Sequence, residues 1–188
     1  NCLSTVLLLD WCLKNKTDRF INISSMSIYG DPEKQPVNEE AAAHPNSFYG
    51  IGKYASENYV RIFSQLGLNT TSLRLFNVYG PGQNMENLRQ GMVSIYMAFI
   101  LKNQDVLVKG SPERFRDFIF IDDVIDAIMA CLENENSYGK EYNVGSGIKT
   151  TVKKLLDAEL EAFGYDPENY GVTYANSTPG DTFGIYSE

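Results

Sequence analysis

Ser24-Ser25-Met26-Ser27-Ile28-Tyr29-Gly30, followed after a loop by Tyr49-Gly50-Ile51-Gly52-Lys53, decides how this 188-residue chain is read. Tyr49 and Lys53 are four apart, so on a helix they share one face, a single turn from each other. An ammonium then sits near a phenol. A phenol ordinarily ionises near pH ~10, too high for a base at neutral pH. A cation ~5 Å away at an effective dielectric of ~20 contributes ~3 kcal/mol, which lowers the phenol pKa by about two units. Tyr49 is therefore a candidate general base, and Ser25 a hydroxyl that orients a substrate oxygen.

The pair alone is a weak signal, because Tyr and Lys at this spacing usually mark a solvated helix face. Its surroundings strengthen it. Arg19-Phe20-Ile21-Asn22-Ile23-Ser24 reads as a buried strand ending in hydroxyls. Asn46-Ser47 can cap the helix that carries Tyr49 and Lys53. In open α/β sheets, ligands bind at the carboxyl ends of strands.

Five segments then occur in one order along the chain. They are Ser24-Ser25 with Tyr29-Gly30; Tyr49 with Lys53; Leu73-Arg74-Leu75-Phe76-Asn77-Val78-Tyr79-Gly80-Pro81; Arg116-Asp117-Phe118-Ile119-Phe120-Ile121-Asp122-Asp123-Val124; and Tyr142-Asn143-Val144-Gly145-Ser146-Gly147. In this order and spacing the chain resembles the extended short-chain dehydrogenase/reductases that act on nucleotide sugars, the NAD-dependent epimerase/dehydratase family. The resemblance implies an α/β fold: a partial Rossmann-type, doubly wound parallel sheet with a smaller mixed α/β C-terminal substrate-binding region. It assigns residues 1–82 to the C-terminal part of the cofactor domain and 83–188 mainly to the sugar-nucleotide region, with 116–147 returning to the Rossmann sheet.

The bulk properties bound the partners. A formal net charge of −8 lacks the basic footprint that nucleic acid needs, yet leaves room for a small phosphorylated ligand. Cys2, Cys12 and Cys131 are odd in number and in no metal spacing, which fits a reduced cytoplasmic setting. No apolar run reaches membrane length, and no signal-peptide pattern is present. No G-x-G-x-x-G motif occurs, although in this fold it belongs to the first strand–helix turn. With the rest of the pattern intact, the expectation is an internal or C-terminal fragment lacking roughly the first third of a family member.

In chain order, residues 2–15 carry Leu3, Val6, Leu7 and Trp11 at helical spacing. Residues 30–45 are a loop punctuated by Gly30, Pro32, Pro36 and Pro45. Its lone histidine, His44, receives no role, and Glu39-Glu40 read as a solvated face. A helix over 47–66 is expected to bury Ile51, Ala55, Tyr59, Ile62 and Leu66, with Gly67 closing it. A strand over 70–76 leads into a turn, Asn77 to Gly82. Met92, Ile95, Tyr96, Phe99 and Ile100 repeat at helical spacing within 84–102. Short strands are expected at 105–109, 117–121 and 141–145. Asp122 or Asp123 should cap a helix running to about Asn134, and Thr150 or Thr151 one running to Phe163.

The resemblance assigns roles residue by residue. Ser25, Tyr49 and Lys53 are catalytic: Tyr49 takes the proton of a sugar hydroxyl, Ser25 bonds the same oxygen, and Lys53 tunes Tyr49 and holds the nicotinamide ribose. Ser24, Tyr49, Lys53 and Phe76 line the cofactor. Ser25, Ser27, Tyr49, Asn77, Met92, Leu107, Lys109 and Arg116 contact the substrate. An Asn–Leu pair common in the family is replaced by Gly91-Met92. At Thr178-Pro179-Gly180-Asp181 a threonine stands where an arginine is usual. Arg114 reads as half of a structural Arg–Asp pair, whereas Arg116 matches a diphosphate-contacting arginine, the residue type suited to a bidentate phosphate grip.

Dehydratases of the family place an acidic residue directly after the catalytic hydroxyl; here Met26 and Ser27 follow Ser25, and neither is an acid. The expected activity is a 4-epimerase working by transient oxidation with bound NAD, NADP being left open. The substrate is a nucleotide-diphosphate sugar, with UDP as the carrier, in a homodimer. The competing readings are a keto-sugar reductase or dehydrogenase, a decarboxylase, a catalytically incompetent substrate-binding fragment, and a nucleotide-binding regulator.

Overall fold

The computed structural model describes residues 2–88, 91–177 and 182–188. The main sheet is built from β1 (Phe20–Ser25), β2 (Thr70–Leu75) and β7 (Lys140–Val144), all parallel in the order β1-β2-β7. Ser24 stands opposite Arg74, and Arg74 opposite Asn143. Side chains alternate across a strand, and β2 uses the two faces differently. Leu73 points to a cluster with Val124 and Cys131 of α4 (Ile121–Glu133). Arg74 points to Glu57 of α2 (Phe48–Gln65). Helices thus cover both faces, as parallel sheets require. α1 (Cys2–Lys14) lies on α2, with Leu9, Cys12, Val60 and Leu68 between them.

A second region surrounds β4 (Val106–Lys109) and β9 (Val172–Ala175), a parallel pair. On β4 Val106 and Val108 are buried, whereas Leu107 and Lys109 face out. The buried pair packs with Tyr96 and Ile100 of α3 (Met92–Leu101) and with Leu156 and Leu160 of α5 (Val152–Ala162). Thr151 caps α5, accepting from Lys154 N at 3.1 Å. Three short ladders join the regions: β3 (Asn77–Tyr79) with β6 (Phe118–Phe120), and β5 (Phe115–Arg116) with β8 (Thr150–Thr151) and β10 (Gly184–Ile185).

Several expectations change. Asn77–Tyr79 is a strand rather than a turn, because it leaves the main sheet after Leu75 to pair with β6. Neither Asp122 nor Asp123 caps α4; Phe120 occupies the cap without a side-chain bond, and the two aspartates sit in the first turn, where the helix dipole favours them. Within 116–147, β7 joins the main sheet while β6 pairs with β3. The largest correction concerns α2. Ile51, Tyr59, Ile62 and Leu66 are exposed, and Ala55 is half-buried. The face toward the sheet carries Gly50, Ser56, Glu57 and Val60. Apolar spacing located a stripe correctly but assigned it to the wrong side, because the buried side is held by polar pairing. Leu3, Leu7 and Trp11 of α1 are exposed as well.

Glu159 of α5 is 8% exposed, and neither carboxylate oxygen has a hydrogen-bond partner among the described residues. Burial pushes its pKa up to about 8. The folded chain therefore holds this proton better than the unfolded chain does. Stability falls as pH rises above the ordinary glutamate value and levels off above about 8, a loss of roughly 3 kcal/mol at pH 7. Glu159→Gln is expected to melt higher than the wild type at pH 8 and to lose most of that advantage near pH 5, as read by scanning calorimetry. An equal advantage at both pH values contradicts a buried, proton-holding carboxyl.

Candidate active site

The carboxyl ends of β1 and β2 open onto a cavity of about 320 Å³, lined by Ser24, Ser25, Met26, Tyr49, Phe76, Asn77, Gln83 and Met92, among others. A second cavity of about 190 Å³ shares Met26 and Asn77 with it and adds Ser27, Asn46, Ser47 and Arg116. Sequence reasoning thus named much of the lining of both cavities. Leu107 and Lys109 line neither; they lie on the outer face of β4. The Thr178-Pro179-Gly180-Asp181 segment falls outside the described residues.

Each side chain is placed by a local cause. β1 ends at Ser25, whose hydroxyl oxygen accepts from Ser27 N at 3.2 Å and so caps the 3₁₀ turn Met26–Ile28. Having accepted that bond, the hydroxyl still has its own hydrogen to donate. Ser47 caps α2, accepting from Gly50 N at 3.0 Å, which sets Tyr49 in the first turn of the helix. Two glycines allow the close approach. At Gly30, with φ of +63°, a Cβ would lie 2.0 Å from the His44 carbonyl oxygen. At Gly50 a Cβ would meet the Ser27 carbonyl oxygen at 2.4 Å. Only a bare backbone lets α2 lie this near the turn that carries Ser25.

Lys53 Nζ donates to the Ile23 carbonyl of β1 at 2.6 Å and lies 5.7 Å from the centre of the Tyr49 ring. Burial pulls its pKa below the ordinary lysine value. Tyr49 itself is half exposed, open to a ligand. Asn77 is fixed at the start of β3, its amide nitrogen donating to the Asp117 carbonyl at 3.1 Å. Arg116 is 4% exposed and donates to backbone carbonyls of Phe115 at 2.7 Å and Thr182 at 3.1 Å. It braces the wall of the second cavity as well as bringing a positive charge there. Arg114 donates to the Lys109 backbone carbonyl.

Two hydroxyls stand out. Ser24 Oγ and Ser27 Oγ are buried with no partner among the described residues, and they line the first and second cavities respectively. Buried polar atoms are normally satisfied, so these two hydroxyls are exceptions at the walls of the cavities. Among the described residues no group of His, Cys, Asp and Glu can hold a metal ion.

Sequence reasoning passed over Glu57, which follows Lys53 by one more turn of α2, and gave no role to Arg74. The Tyr49, Lys53, Glu57 spacing on one helical face was the available signal.

A model of the NAD-dependent epimerase/dehydratase family matches residues 1–145. The chain belongs to this family. The putative UDP-glucose 4-epimerase of Methanocaldococcus jannaschii is 32% identical over 188 residues, covering 99% of this chain and 59% of that relative. Among solved structures, the UDP-N-acetylglucosamine 4-epimerase of Methanobrevibacter ruminantium M1, in complex with UDP-N-acetylmuramic acid, matches with a TM-score of 0.93 at 26% identity, over 100% of this chain and 59% of that one. The UDP-glucuronic acid 4-epimerase of Bacillus cereus, in complex with UDP-glucuronic acid and NAD, matches with a TM-score of 0.90 at 26% identity, over 100% of this chain and 58% of that one. This member of the epimerase/dehydratase family therefore spans about three fifths of the length of these relatives. Among its described residues no helix is long and apolar enough to cross a membrane.

The approach at Gly50 is open to a direct check. Gly50→Ala is expected to push the Ser25–Tyr29 turn from α2 and to cost about 1–3 kcal/mol in urea denaturation, the usual range for overpacking. A loss below about 0.5 kcal/mol, the size of an ordinary surface change, contradicts the close contact.

Proposed function

We propose that this chain carries the catalytic residues of a nucleotide-sugar 4-epimerase that acts with NAD on a UDP-sugar. One observation carries the reading. The Ser25 hydroxyl, the Tyr49 phenol and the Asn77 amide line a single cavity, with the Lys53 ammonium 5.7 Å from the Tyr49 ring. Tyr49 takes the proton from the sugar hydroxyl at the reacting carbon and later returns it. Ser25 donates to that oxygen and keeps it aligned. Lys53 places its ammonium beside the Tyr49 ring and reaches the cofactor ribose. NAD, when bound, supplies hydride acceptance and return.

The unpartnered Ser24 hydroxyl and the Phe76 side chain in the same cavity suit the nicotinamide side of that cofactor. Ser27, Asn77, Met92 and Arg116 are assigned to the sugar nucleotide, and Leu107 and Lys109 to the surroundings of its base. Residues 1–82, with the segment 116–147, are read as cofactor-domain structure, and the rest of 83–188 as the sugar-nucleotide side. Dehydration is the disfavoured variant, because neither Met26 nor Ser27 carries a carboxyl for the loss of water. The UDP-sugars held by the solved relatives support the choice of nucleotide.

Tyr49→Phe in the NAD-loaded enzyme is expected to lower epimerisation of a UDP-sugar by at least about 10²-fold, the scale of general acid–base catalysis. Calorimetric binding of the UDP-sugar should persist. Near-normal turnover removes Tyr49 from its role.

We also propose a homodimer, with a second copy covering the apolar face of α1 and α2. Leu3, Leu7 and Trp11 on one helix and Ile51, Tyr59, Ile62 and Leu66 on the other are all exposed, and the two helices pack side by side. Exposed apolar side chains grouped on two packed helices mark an interaction site. Sedimentation at several concentrations is expected to show self-association that Trp11→Glu weakens. A concentration-independent monomer contradicts the dimer.

A further inference from the structure

Away from the cavities, one buried charged group holds both segments that carry the site residues. Arg74 is 5% exposed and Glu57 is 1% exposed. Arg74 Nε donates to Glu57 Oε1 at 3.1 Å, and Nη2 to Oε2 at 3.0 Å. This is the two-pronged guanidinium–carboxylate fit that fixes direction as well as distance. The remaining nitrogen, Nη1, donates to Tyr29 Oη at 2.9 Å and to the Glu39 carbonyl at 2.9 Å. Tyr29, fully buried, donates in turn to Asn143 Oδ1 at 2.7 Å. Asn143 Nδ2 donates to the Val37 carbonyl at 3.1 Å.

The connectivity is what matters. Glu57 is one turn below Lys53 and two below Tyr49 on α2. Tyr29 closes the turn that begins at Ser25. One guanidinium therefore grips the helix that carries Tyr49 and Lys53 through Glu57, and the segment that carries Ser25 through Tyr29. Nearer the cavity, the Lys53–Ile23 bond and the Gly50–Ser27 contact also tie these elements, and Tyr54 of α2 packs against the cluster that holds Ile28 and Tyr29. A buried ion pair adds little net stability against an apolar substitute; its clearer use is to fix geometry. Burial raises the Tyr29 pKa above its ordinary value, so the phenol stays neutral and keeps a proton to donate to Asn143.

We propose that Arg74, Glu57 and Tyr29 are positioning residues that together set the separation of Ser25 and Tyr49. This rests on the functional reading of Ser25 and Tyr49 given above. Lysine is the discriminating substitution. Arg74→Lys keeps a charge for Glu57, but a single ammonium cannot fork to Glu57 and also bridge to Tyr29 and Glu39. Tyr29→Phe cuts only the Arg74–Tyr29–Asn143 path.

In the NAD-loaded enzyme, Arg74→Lys is expected to lower kcat by about 10²-fold, as misplacement by about 1 Å can, with KM for the UDP-sugar within about threefold of the wild type. Tyr29→Phe should lower kcat by a smaller factor in the same pattern. Wild-type kcat in both variants, or a rise in KM at constant kcat, overturns the proposal. Should the wild type turn over no nucleotide sugar, the functional reading fails, and crystal structures of wild type and Arg74→Lys still decide the geometry. A lengthened Ser25 Oγ–Tyr49 Oη distance in the variant supports positioning, and an unchanged distance overturns it.

Discussion

The guanidinium of Arg74 sits at the end of a parallel strand, under a helix, where a lone charge would be strongly unfavourable. Burial works against the charge, yet the hydrogen bonds and charge of Glu57 outweigh it and raise the Arg74 pKa above its ordinary value. The arginine must therefore be paired, and its partner must come from α2. That requirement fixes which face of α2 meets the sheet. Gly50, Ser56, Glu57 and Val60 turn inward, and the apolar stripe from Ile51 to Leu66 is left outside. The polar inward face and the free apolar face share one cause.

The site follows from where this pairing leaves the elements. β1 and β2 end side by side, with Ser24 opposite Arg74 and Ser25 opposite Leu75. α2 begins close by, held by its Ser47 cap and by glycine at the contact with Ser27. The chain then leaves β2 for β3, which swings Asn77 over the strand ends, and α3 brings Met92 across from the other side. Hydroxyls, a phenol and an amide converge at a place that no single element builds. Asp117, whose carbonyl holds the Asn77 amide, is itself fully buried and accepts from Ser146 N at 2.7 Å and from Ser187 N at 3.0 Å.

Much of this was legible from residues alone, because the informative features are local. Tyr49 and Lys53 share a face by helical spacing, Ser47 caps by type, and strand 20–25 announces itself by β-branched residues ending in hydroxyls. The parts misread depend on partners far along the chain. Nothing near Ile51 or Ile62 says whether an apolar stripe faces a sheet or solvent; Arg74, seventeen positions beyond Glu57, decides it. Asn77–Tyr79 looks like a turn because its ladder partner, Phe118–Phe120, lies some forty residues on. Asp122 and Asp123 have the composition of a cap, but the chain enters α4 straight from β6 and leaves Phe120 at that position. Leu107 and Lys109 received their roles by resemblance, and periodicity could not have put them near the cavities.

A crystal structure of the NAD-loaded enzyme with UDP-glucose meets the proposed chemistry most directly. A sugar hydroxyl within about 3 Å of both Ser25 Oγ and Tyr49 Oη, the reach of proton transfer, with the nicotinamide against Ser24 and Phe76, is the predicted result. A nucleotide sugar seated elsewhere on the chain, with the cavity between β1, β2 and α2 holding neither ligand, contradicts it.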